Sequence, residues 1–99
     1  MIAVEVQKIK PGCAATGYDS RGVVVEFASD GQARRRQFTA AHLIDSLRGA
    51  GFDAAEVSSP GPDRARLFVT RAWGELSAAD VYNVFRETEG VDLSGVSLA

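Results

Sequence analysis

One cysteine and one histidine, Cys13 and His42, are the only side chains of their kinds in the 99 residues. Thiol or imidazole chemistry therefore rests on this pair or on neither. Cys13 lies in KPGCAATG with Lys10 and Arg21 nearby, and a neighbouring cation lowers a thiol pKa and raises the thiolate fraction. Set against His42 it would form a nucleophile–base couple. A zinc site of the usual nitrogen and sulfur type needs more ligands than one His and one Cys supply. The loop GCAATG (Gly12 to Gly17) lets backbone N–H groups approach an anion, but it lacks the Gly-Lys-Ser/Thr ending of a phosphate-binding loop and leads into a strand. The carboxylate pairs Glu87 with Glu89 and Asp53 with Glu56 have no spacing that makes them converge. This inventory predicts no catalytic residue, no cofactor and no metal, and so a non-enzymatic protein; a Cys13-dependent activity is the one enzymatic alternative.

Cations and rings offer binding chemistry instead. Arg34, Arg35 and Arg36 are adjacent, and as a strand they would place Arg34 and Arg36 on one face and Arg35 on the other. Such a basic strand either protects a sheet edge from unwanted pairing or holds phosphates. In RARLFVTR (Arg64 to Arg71), strand alternation puts Arg64, Arg66, Phe68 and Thr70 on the face opposite Ala65, Leu67 and Val69. A ring beside cations there can stack bases while the arginines contact phosphate. This segment resembles the third strand of the RNA-recognition motif at Arg64, Phe68 and Val69. It departs from that motif at Arg66 and Arg71, where aromatics are expected. The same face suits a protein: Val24, Ala28 and Phe68 make an apolar patch, and Trp73 is a residue type enriched at interface anchors.

The elements that position these residues follow from periodicity. Ile2, Val4 and Val6 alternate with polar residues as a first strand over Ile2 to Ile9. Lys10 to Gly22 reads as a loop, and Val23, Val25 and Phe27 mark a second strand. Asp30-Gly31 suits a hairpin turn, returning Ala33 to Phe38 as a third strand. Thr39 then caps a helix with Phe38 and Leu43 as its hydrophobic staple and Ala40, Leu43, Ile44 and Leu47 as its apolar stripe. Asp53 to Ser58 and Arg64 to Thr70 form a hairpin across SPGPD. A second helix follows, capped by Ser77 with Asp80, its stripe being Ala78, Val81, Tyr82 and Phe85. Val96 to Leu98 closes the chain as a short strand. FTAAHLIDSLR and LSAADVYNVFR thus echo each other in capping and burial.

These readings predict one α+β domain over residues 1–99, a mostly antiparallel sheet of five or six strands with two helices on one face. Its topology would be a ferredoxin-like βαββαβ core preceded by two strands, or a duplicated ββα unit. An apolar content of 45% with 24% charged residues fits a folded chain, and a net charge of −2 selects no partner. Residues 1–50 carry seven Lys or Arg against five acids, and residues 51–99 four against eight, so the basic bias is local. A single cysteine, no basic leader and no long apolar run predict a soluble cytoplasmic protein. The function expected is a small interaction module that binds a protein or a second copy of itself through an open sheet face or edge. Val24, Phe68 and Trp73 are the interface candidates. The alternative is nucleic-acid binding by Arg34, Arg35, Arg36, Arg64, Arg66 and Phe68.

Overall fold

A computed structural model describes residues 4–13, 21–28, 33–61, 64–71 and 76–98, the side chains of Cys13, Arg21 and residues 33–38 and 58–61 excepted. In order the elements are β1 (Val4–Cys13), β2 (Arg21–Ala28), α1 (Ala33–Gly49), β3 (Asp53–Gly61), β4 (Arg64–Thr70), α2 (Ala78–Arg86), β5 (Val91–Asp92) and β6 (Ser97–Leu98). The sheet runs β3-β4-β2-β1-β5, with β6 also on β1. The first four strands pair antiparallel, whereas β5 and β6 lie parallel to β1.

Alternation decides which face of each strand is buried. Val23, Val25 and Phe27 of β2 stand in register with Val69, Leu67 and Ala65 of β4, and all six are fully buried. On β1, Val4 and Val6 face the same way. A shift of register between Val6 and Lys8 then inserts one residue, as a β-bulge does. The phase is restored so that Ile9 is buried and Lys8 faces outward. Against this inward face pack Ala40, Leu43 and Leu47 of α1 and Ala78, Val81 and Phe85 of α2, all in one cluster. The two triplets occupy matching places in the echoed fragments. Each fully buried large side chain contributes roughly 1.5–3 kcal/mol.

The end of α1 and the start of α2 are closed by local devices. Gly51 has φ 93°, with Phe52 N–H donating to the Leu47 carbonyl (3.0 Å) and Gly51 N–H to that of Arg48 (3.0 Å). These are the two bonds of a Schellman stop, which needs a residue at ease with positive φ. At the start of α2, Asp80 N–H donates to Ser77 Oγ (3.3 Å) and Ser77 N–H donates to Asp80 Oδ2 (3.0 Å), the reciprocal capping box expected.

Three expectations need correction. Ala33 to Phe38 is the first part of α1 and not a strand, so Arg34, Arg35 and Arg36 lie on a helix; Thr39 is buried inside that helix and is not its N-cap. Alanine, arginine and glutamine are strong helix formers, and continuing upstream lets this segment join an amphipathic helix already anchored by Leu43 and Leu47. From β2 onward the elements still run βαββαβ, but β1 stands between β2 and β5 and takes β5 and β6 in parallel, so the sheet order is not that of the expected ferredoxin-like core. The order is ββα, ββα, then two short strands, and exchanging β1-β2-α1 with β3-β4-α2 leaves the order of the four long strands unchanged. Finally, β1 continues through Lys10 to Cys13, paired with Val24 to Arg21, where a loop was expected. β5 was not anticipated. Among the described residues no helix is long and apolar enough to cross a membrane.

Candidate interaction surface

The helices pack on one side of the sheet, so the outward residues of β1, β2 and β4 form a face that neither helix covers. Cross-strand register arranges it in rows. Lys8, Glu26 and Arg66 make one row; Lys10, Val24, Phe68 and Ala55 make the next; Gly12 and Gly22 follow. Each row has its own physics.

In the glycine row the neighbours lean over. A Cβ on Gly12 would stand 2.7 Å from Val24 Cγ2. One on Gly22 would meet the Val69 carbonyl oxygen and would lie 2.9 Å from Phe68 Cζ. Val24 and Phe68, both half-buried, therefore occupy the space that the glycines leave empty.

The charged row is built around Glu26, an acid only 8% exposed on the side of the sheet that no helix covers. Arg66 Nε donates to Glu26 Oε1 at 2.8 Å, and Lys8 Nζ lies 3.9 Å from Oε2. The hydrogen bond from Arg66 holds the Glu26 carboxyl below the usual range; burial opposes this, and the charges of Arg66, Lys8 and Lys10 reinforce it. An ionised carboxylate tolerates this burial because its lone pairs and its charge are both met.

The sheet edges are less inviting. On β3, Ala54 N–H donates to its neighbour Asp53 Oδ1 (3.0 Å), and Arg48 Nη2 comes within 3.5 Å of the Ala54 carbonyl. The β3–β4 register also shifts between Glu56 and Ser58 and again before Gly61, although Val57 is 53% exposed. On β1, β6 covers Lys8 and Ile9, and Pro11 beyond it has no N–H to offer an incoming strand. Occupied backbone groups, bulges and proline all discourage edge pairing.

Comparison with protein-family models, with curated proteins and with solved structures gives no match. The site is therefore read from its own chemistry. Arg64, Arg66, Phe68 and Val24 share the uncovered face, Val24 standing opposite Phe68. Arg34, Arg35 and Arg36 lie on α1 and are not strand neighbours of that set. Trp73 falls outside the described residues. Lys8, Lys10 and Glu26 were missed as site residues, although the alternation of KIK in β1 and of VVVEF in β2 carried the signal.

His42 is half-buried, its Nε2 2.8 Å from the Glu89 carbonyl oxygen. It borders an open cleft of about 640 Å³ between the helices, shared with Ser46, Asn83, Glu87 and Glu89. The imidazole is thus occupied in tying α1 to the segment after α2. Cys13 ends β1, on a different element from His42.

Proposed function

We propose that the chain is a non-enzymatic interaction module whose uncovered sheet face receives a protein partner, a second copy of the chain being one such occupant. The observation that carries this reading is the row Lys10, Val24, Phe68 and Ala55. It is apolar at its centre and bordered by charge, the make-up of a small docking patch, while both edges discourage strand addition. Nucleic-acid binding is the second reading, favoured by the placing of Arg66 and Phe68 beside Lys8 and Lys10 on one face.

A photo-crosslinking side chain placed at Val24, with one at the exposed Ala41 of α1 as control, tests both. Protein adducts from position 24 and few from position 41 are expected, and an adduct of twice the chain mass marks self-association. Nuclease-sensitive adducts from position 24 would move support to the second reading. Equal labelling from both positions, or none from position 24, would overturn the face as the binding surface.

A further inference from the structure

We infer that the face is a receptor for a carboxylate presented by a protein partner beside an apolar residue, with Arg66 as the binding group and Glu26 as the residue that positions it; this rests on the reading of the uncovered face as a docking surface. Among the described residues, Arg66 makes its hydrogen bond through Nε alone, to Glu26. Its side chain is 38% exposed. A guanidinium fixed through Nε keeps its end-on pair of Nη nitrogens for another group, and that planar fork matches an oxyanion in bidentate geometry.

Local charge points the same way. Among the described residues, three cations, Arg66, Lys8 and Lys10, act on the single carboxylate of Glu26, which leaves this part of the face with an excess of positive charge to meet an incoming anion. One row away, Val24 and Phe68 offer an apolar floor for the residue beside that anion. A second copy docked face to face would set these cations against their own counterparts, so the carboxylate comes from a different protein surface. A protein carboxylate fits better than a phosphodiester strand, because among the described residues the face has one ring, on a chain of net charge −2, where single-stranded nucleic acid uses successive rings in a strongly basic groove.

The test is an NMR titration of the full chain with a short peptide of alternating glutamate and leucine, its glutamine counterpart and a short oligodeoxythymidylate. The glutamate peptide should shift the amide signals of Val24, Arg66 and Phe68 and bind roughly tenfold more tightly than the glutamine peptide. Arg66→Lys, which keeps the charge and loses the fork, should lose most of that difference. Glu26→Gln separates positioning from bulk charge. It makes the face more positive, so a simple electrostatic patch would bind the peptide more tightly, whereas a positioned arginine binds it less tightly. Unchanged or tighter binding by Glu26→Gln, or a preference for the oligonucleotide, would overturn the proposal. So would equal binding of the two peptides at this face, which would leave the docking surface itself standing. Shifts confined to the helix layer would remove the docking surface as well.

Discussion

The two faces of the sheet are built from the same strands and sealed by different means. On the inward face, Val25, Phe27, Leu67 and Val69 are fully buried beneath side chains of α1 and α2. On the outward face, no helix covers Val24 and Phe68, which reach half-burial by lying over glycines, while Glu26 is buried under its own ion pairs. The first face draws on bulk apolar area, which is non-directional and cumulative. The second depends on a few placed contacts, each with one geometry. Such a surface keeps its shape in water and still leaves groups to offer a partner.

The largest expected effect tests that division. Phe85 sits fully buried at the α2 contact with the sheet, so Phe85→Ala should lower stability by about 3–5 kcal/mol. Phe68→Ala removes a ring of equal size from the outward face and should cost about 1–2 kcal/mol, since part of that area is already wet. Urea denaturation of both variants reads the difference. Equal losses would mean that the outward face is a second core and not a docking surface.

Glycine substitution sharpens the comparison at smaller magnitude. Gly22→Ala drives a methyl group toward the Val69 carbonyl and the Phe68 ring, and should cost about 1–3 kcal/mol as overpacking does. Gly49→Ala, at the last residue of α1 with nothing within 4 Å of the added methyl group, should be neutral or stabilising by up to about 1 kcal/mol. Thermal melts of the pair decide it. A harmless Gly22→Ala would show that Phe68 does not depend on the space above that glycine.

How much of this was readable in advance depended on whether the deciding interaction was local. The second helix was legible from Ser77 to Phe85 because its cap, its acid and its stripe all lie within nine residues of sequence. β4 was legible because RARLFVT alternates cleanly. The stretch Ala33 to Phe38 was not, because three arginines carry no apolar period and the run fits either a strand or a helix. Its state is set by the helix it joins. β6 falls within the short strand expected over Val96 to Leu98, whereas β5 pairs over only two residues, too few to leave a periodic trace, and its partner is a strand some 90 residues earlier in the chain. The outward face was half visible. Phe68 and Arg66 followed from alternation, whereas the burial of Glu26 follows from the register that sets Lys8 and Arg66 on either side of it, and register between distant strands is not written in any one segment.

The smallest effect expected concerns that carboxylate. The usual value for a glutamate is near 4.5, and in the folded chain Glu26 lies below it because Arg66 hydrogen-bonds the ionised form. Folding therefore favours the ionised group. Its contribution to stability is fully present above the unfolded value and is lost as pH falls through the lower, folded one. With a partner as exposed as Arg66, the ion pair contributes at most about 1 kcal/mol. Melting temperature followed from neutral pH down to about pH 3 should fall less steeply for Glu26→Gln than for the parent chain, because the variant has no proton to take up there. Parallel slopes would mean that Glu26 is held no more tightly in the fold than in the unfolded chain. The outward face would then lack the fixed charge that orients Arg66, and its likeness to a placed, geometric surface would fail at its centre.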